Sequence, residues 1–308
     1  MEPGKVGQKV ILPDFILPSR VDQQWQYSGI DSPESCSDKK HFKLYPHQVY
    51  YNYNSRGFRD QEWPTELTEL QNAIWCIGDS FTVGLGSPVE HTWPRILQQQ
   101  TGQRTINVSM DGASNEWMAR KIKRIVEVIT PKNIIVQWSY FHRGELPDQS
   151  QSDEDRRAWI GSHLQGTPKN ISANLAIENF KNCVLQTKKV CKNCQLINSI
   201  IPNAFDGIDT EEVRGWWWND RDLNWPSALP DSLDDISPDI IQQLKKKQHY
   251  NQYFLYYVVH NFLKTNNIIR VNQFDKSFNK EFARDGHHYD IVTATKFVNE
   301  VQTKFKLV

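Results

Sequence analysis

The sequence predicts an α/β protein with a parallel β-sheet covered on both faces. Three observations carry that expectation. Short apolar runs at 73–77, 105–108, 133–138, 195–199 and 268–272 recur along the chain. Helix-compatible segments at 92–100, 116–129, 171–190, 240–264 and 291–305 fall between and after them. The first run, Ile74-Trp75-Cys76-Ile77, is continuously apolar and stops abruptly at Gly78-Asp79-Ser80, as a strand buried on both faces does when it reaches a sheet edge. Strand–helix alternation of this kind implies parallel strands joined by crossover helices.

Taken in order, residues 1–70 carry Pro, Tyr, Ser and charge with no sustained period. They are expected to form an extension that wraps the core. Within them, Tyr45-Pro46-His47-Gln48-Val49-Tyr50-Tyr51-Asn52-Tyr53 alternates enough to suggest an irregular strand. Residues 71–308 form the expected α/β domain. Two insertions interrupt its rhythm, one near 140–169 and rich in charge, the other near 200–238. The second contains Trp216-Trp217-Trp218 and Trp225. Long loops inside compact domains are usually functional or disordered, and both of these leave from C-terminal strand ends, where open sheets place their ligands.

Ser80 stands at such an end, so it is a candidate nucleophile; read alone, it is more simply a cap of the following helix. Asp285-Gly286-His287-His288 precedes the last helical segment. A serine after the first core strand with Asp-x-x-His before the last helix supplies nucleophile, orienting acid and general base. His287 is the alternative base. Gly84-Leu85-Gly86 falls short of a dinucleotide loop because residue 89 is Val, and no Walker A pattern occurs.

These pieces resemble the SGNH (GDSL-type) hydrolase family over roughly residues 72–308. Gly78-Asp79-Ser80 resembles its first block, and Asp285-x-x-His288 its last. Asn107-Val108-Ser109-Met110-Asp111-Gly112-Ala113-Ser114-Asn115 resembles its second. Asn54-Ser55-Arg56-Gly57-Phe58-Arg59-Asp60 is similar to a segment that precedes the catalytic block in some members. The resemblance implies a three-layer, flavodoxin-like sandwich with strand order 2-1-3-4-5. It implies catalysis by Ser80, Asp285 and His288, and an oxyanion donor at the Gly112 N–H beside that of Ser80. It also implies a serine esterase without cofactor or metal. The family's third block, Gly-x-Asn-Asp, is missing. Trp138-Ser139-Tyr140-Phe141-His142-Arg143 stands in its place, with Phe141 near the expected asparagine. Asn115 is the leading substitute donor, with Ser139 and Arg143 as further candidates. For Arg143, pairing with Glu145 is the simpler expectation.

Composition excludes several classes. Lys plus Arg and Asp plus Glu number 36 each, so no global field draws the chain to nucleic acid or to a membrane surface. No apolar run approaches the roughly 18 residues of a spanning helix, and the N-terminus lacks a signal-peptide core. A cytoplasmic location is expected, with a phage virion as the alternative. Five cysteines, an odd number, argue against a disulfide framework. Cys191-Lys192-Asn193-Cys194 lacks a second ligand pair at zinc spacing. The expected partner is an acylated carbohydrate or other small ester, with attachment to a larger particle through the N-terminal extension also open. Two other functions remain at this stage: a glycan-binding or structural module on a degenerate scaffold, and an O-acyltransferase using the same three residues.

Overall fold

The computed structural model describes residues 9–10, 12–13, 15–28, 31–36, 42–43, 45–141, 143, 173–201, 259, 261–270 and 282–305. In chain order these include β1 (Gln24–Trp25), α1 (Pro33–Cys36), β2 (Tyr51–Asn52), α2 (Leu67–Asn72), β3 (Ile74–Gly78), α3 (Ser80–Val83), α4 (Trp93–Thr101) and β4 (Thr105–Ser109). They continue with α5 (Asn115–Val128), β5 (Asn133–Trp138), α6 (Ala173–Val190), β6 (Gln195–Ile200), β7 (Ile269–Arg270) and α7 (Ile291–Phe305).

The centre of the molecule is a parallel sheet flanked by helices. Its neighbours run β4-β3-β5-β6-β7. β3 pairs with β4 from Ile74↔Thr105 to Gly78↔Ser109, and with β5 from Ile74↔Asn133 to Ile77↔Val136. Every residue of β3, β4 and β5 is buried, which is why their sequences read as unbroken rather than alternating runs. The last strand is described only over Ile269–Arg270. The chain passes from β3 outward to β4, then back across β3 to β5. Right-handed crossovers therefore put α4 and α5 on opposite faces. α4 meets α7 on one face through Trp93 and Phe297, ring centroids 5.2 Å apart. α5 meets α6 on the other.

Local chemistry sets the boundaries. Ser114 caps α5, its hydroxyl accepting from Trp117 N at 3.0 Å, so that helix starts at Asn115, one residue before the expected position. Ala73 closes α2, its N–H bonding Glu69 O at 2.9 Å, so β3 begins at Ile74 instead of 73. α2 itself is too short to leave a period in the sequence. Of the helix expected over 240–264, residues 259 and 261–264 are described and helical; the rest lies outside the described residues. So do Glu145, Trp216, Trp217, Trp218, Trp225 and nearly all of both insertions. The thiols of Cys191 and Cys194 sit at the turn between α6 and β6. None of the five cysteines is in a disulfide, and among the described residues no group of three or more His, Cys, Asp or Glu could hold a metal. No helix among them is long and apolar enough to cross a membrane.

The N-terminal segment packs into this core. Phe15 and Leu17 join the main apolar cluster, and Phe15 meets Trp63 and Trp75 edge-on. Its tightest attachment is Arg59, whose buried guanidinium hydrogen-bonds to backbone carbonyls. Nη1 donates to Val83 O (3.1 Å) and Gly84 O (2.6 Å), and Nη2 to Tyr50 O (2.9 Å) and Ser87 O (2.8 Å). The ring of Tyr51 lies 4.3 Å from its centre. The next residue, Asp60, receives a two-pronged contact from Arg104 and the backbone N–H of Asn107. Arg59 and Asp60 thus tie the loop after β3 to β4. Arg59→Met should remove the charged donor from four carbonyls, of which Gly84 O keeps a bond from Ser87 N at 3.3 Å. Hydrogen bonds from a charged donor contribute about 1.5–3 kcal/mol each but not additively, so an expected loss of ~3 kcal/mol should appear in urea denaturation.

Candidate active site

Ser80 is the first residue of α3 and lies where β3 leaves the sheet. Asp79 caps that one-turn helix, its Oδ1 accepting from Phe81 N at 3.0 Å. The cap turns the chain sharply enough to leave Ser80 at the C-terminal edge, although only 3% of its surface is exposed.

The loop before α7 brings the other two groups to it. His288 Nε2 lies 2.8 Å from Ser80 Oγ, and His288 Nδ1 lies 2.5 Å from Asp285 Oδ2. Asp285 folds back because its Oδ1 accepts the backbone N–H groups of both His287 (2.9 Å) and His288 (3.1 Å). The Asp-x-x-His spacing is therefore one capped turn, with the second carboxylate oxygen left for the imidazole.

Charge settles which atom carries the proton. Burial works to raise the Asp285 pKa, but the His288 charge and hydrogen bond and the two backbone donors outweigh it, holding the carboxyl at about 2. Asp285 is thus an anion that only accepts. His288 Nδ1 carries the hydrogen, and Nε2 presents its lone pair to the Ser80 hydroxyl. Burial works to lower the His288 pKa, but Asp285, with smaller help from Asp111 and Asp79, raises it above 6.5. The raised His288 pKa contributes stability that is complete below 6.5 and is lost as pH rises through the folded value. The depressed Asp285 pKa contributes stability present above 3.8 and lost as pH falls toward 2.

His287 is turned elsewhere. Its Nε2 is 2.9 Å from the Tyr140 hydroxyl, and its ring stands nearly perpendicular to that of His288. Phe81 packs on both imidazoles and on Tyr289, with centroids 4.6–5.4 Å away.

The turn after β4 supplies a backbone donor. Gly112 has φ +76°, a conformation that glycine adopts without strain, and nothing lies within 4 Å of where a Cβ would sit. Among the described residues neither its N–H nor that of Ser80 has a hydrogen-bond partner. Met110 N bonds Gly78 O at 3.2 Å, fixing this turn beside the end of β3.

The side chains considered for the missing asparagine are engaged. Asn115 Oδ1 accepts from Ser139 N at 2.8 Å, and its Nδ2 donates to Tyr140 O at 3.2 Å. It braces the end of β5 and keeps one further amide N–H. Ser139 Oγ donates to Asp79 Oδ2 at 2.5 Å, and Arg143 Nη1 reaches the same oxygen at 2.9 Å. Arg143 therefore pairs with Asp79; Glu145, its expected partner, lies outside the described residues. The reason is local: Asp79 is fully buried as a helix cap, and an unpaired anion there would be costly. The sequence signal for this pair was an arginine four residues after Ser139 at a strand end, too weak to read without a partner.

No family model matches the sequence, and no curated protein matches it. Among solved structures the chain is similar to a lipolytic protein of the G-D-S-L family from Desulfitobacterium hafniense DCB-2. Identity is 13% and the TM-score 0.40, covering 77% of this chain and 99% of that one. It is similar to a family 3 carbohydrate esterase from Clostridium thermocellum at 13% identity and TM-score 0.38, covering 75% and 93%. It is similar to the acetyl xylan esterase Est2A from Butyrivibrio proteoclasticus at 10% identity and TM-score 0.39, covering 80% and 67%. At such identities, roles for individual residues come from the geometry. The solved structures that this chain resembles are G-D-S-L-type hydrolases and esterases.

Proposed function

We propose that this chain is a serine ester hydrolase that removes O-acyl groups, acetyl above all, from carbohydrate. The observation that carries the hydrolase half is the continuous relay Ser80–His288–Asp285, at 2.8 and 2.5 Å. His288 Nε2 takes the hydroxyl proton as Ser80 Oγ attacks the ester carbonyl. Negative charge then grows on the carbonyl oxygen, toward the open N–H groups of Ser80 and Gly112. Preset donors of this kind are worth roughly 3 kcal/mol each in the transition state. The imidazolium that forms is held by Asp285, and its Nε2 proton passes to the departing alcohol oxygen as the C–O bond breaks. Water then repeats the cycle on the acyl-serine, releasing the acid and restoring Ser80. An assembled relay supports catalysis over an inert binding module.

The carbohydrate half rests on sequence. Trp216-Trp217-Trp218 and Trp225 occupy one insertion, and flat indole faces suit sugar rings. The test compares acetate release from a small aryl acetate with release from an acetylated oligosaccharide. The expected result is turnover of both, with a lower KM for the sugar. Replacing the Trp216–Trp218 indoles with Ala should raise KM for the sugar and leave the aryl ester nearly unchanged. Equal losses on both substrates would contradict the sugar assignment.

A further inference from the structure

The N-terminal segment reaches the catalytic loops at a second place, through a buried carboxylate. Asp31 and Tyr51 are fully buried, and Arg284 nearly so. Arg284 is the residue before the triad acid. Its Nε donates to Asp31 Oδ2 at 2.9 Å, its Nη2 lies 2.8 Å from the same oxygen, and it also donates to Gln26 O. The rings of Tyr27 and Phe42 flank the guanidinium at 4.8 and 5.8 Å. Ser28 N closes on Asp31 Oδ1 at 2.5 Å.

A second arm leaves the same carboxylate. Burial and the Asp31 charge hold the Tyr51 phenol protonated, so its O–H donates to Asp31 Oδ2. Its oxygen accepts from Gly86 N at 2.7 Å. Gly86 O in turn accepts Arg284 N at 3.1 Å. Gly86 lies in the loop after Ser80, and it touches the triad loop directly. A Cβ placed on it would stand 2.8 Å from Ala283 Cβ and 3.2 Å from Asp285 Cγ. Both arms of Asp31 therefore end where the nucleophile loop meets the acid–base loop.

We propose that Asp31, acting through Tyr51 and Arg284, is a positioning residue that holds the Asp285–His288 loop in register with Ser80. The N-terminal segment is then a working part of the catalytic apparatus. This rests on the serine-hydrolase reading above. The logic is geometric: a relay only one hydrogen bond wide at each step loses rate steeply when a loop shifts, about a hundredfold for 1 Å. It is also electrostatic, because Asp31 cancels the charge of Arg284, the residue joined directly to the triad acid. The charges acting on His288 include Asp285, Asp111 and Asp79, and the His287 ring lies against it.

The experiment uses the full chain with Asp31→Asn, Arg284→Gln and Tyr51→Phe. It measures kcat and KM on an aryl acetate across pH, the rate of fluorophosphonate labelling at Ser80, and Tm. In Asp31→Asn and Arg284→Gln, kcat should fall about tenfold or more while KM stays within about twofold. The acid limb of kcat/KM should move to lower pH in Asp31→Asn, where an uncancelled cation disfavours imidazolium. It should move to higher pH in Arg284→Gln, where an uncancelled anion favours it. Tyr51→Phe changes no charge, so labelling should slow while the limb stays in place. A merely structural node would lower Tm without opposite shifts of the limb. Folded variants with wild-type labelling rates and unmoved limbs overturn the proposal while leaving the serine-hydrolase reading intact. If the two charge variants fail to fold, wild-type labelling of folded Tyr51→Phe overturns it. Absence of Ser80 labelling in the wild-type protein overturns both.

Discussion

Ser80→Ala is expected to abolish ester hydrolysis, with a loss of roughly four orders of magnitude or more in kcat. The hydroxyl removed is the one His288 contacts at 2.8 Å and the one that would attack an ester carbonyl. Without Oγ no acyl-serine forms, and the open N–H groups of Ser80 and Gly112 are left to polarise a carbonyl with no nucleophile beside it. Stability should change little. One hydroxyl hydrogen bond contributes about 1 kcal/mol, which moves Tm by about 2–4 °C in a domain of this size. Steady-state assays on an aryl acetate, beside a melting curve, check both halves. Undiminished turnover would remove Ser80 from the mechanism.

The adjacent histidines should separate cleanly. His288→Ala removes the group that takes and returns the proton, and should cost several orders of magnitude in kcat. His287→Ala should cost about tenfold or less, because its ring is held by the Tyr140 hydroxyl at 2.9 Å while the contact to Ser80 Oγ is made by His288. The wild-type pH–rate profile should show the same assignment. The neutral form of His288 is the active one, and its pKa is raised above 6.5 by Asp285. Activity should therefore rise with pH through a group titrating on the alkaline side of 6.5, and fall as that group is protonated. A greater loss in His287→Ala would assign the base to the wrong ring.

Much of the framework was legible because burial leaves a mark on composition. β3, β4 and β5 are buried along their whole lengths, so they read as unbroken apolar runs with polar breaks at each end. Ser80 and the Asp285-x-x-His288 pair were legible for a similar reason, since each falls at a sharp boundary between a run and a turn. What stayed hidden are interactions between residues far apart in sequence whose types carry no periodic signal. Arg59 bonds only to carbonyls, and any sequence supplies those. Asp31 meets Arg284 across 253 positions. Arg143 finds Asp79 across 64. The bracing by Asn115 was hidden for the same reason: its amide spans to the backbone of Ser139 and Tyr140, neighbours that the β4–β3–β5 arrangement supplies.

The central claim is that Ser80 is an activated nucleophile. The most direct measurement is covalent labelling with a fluorophosphonate probe, followed by mass mapping of the modified peptide. The proposed chemistry gives one adduct, on Ser80, formed faster as pH rises through the His288 titration and strongly slowed in His288→Ala. No adduct, or an adduct on another residue with Ser80 unmodified, would contradict it.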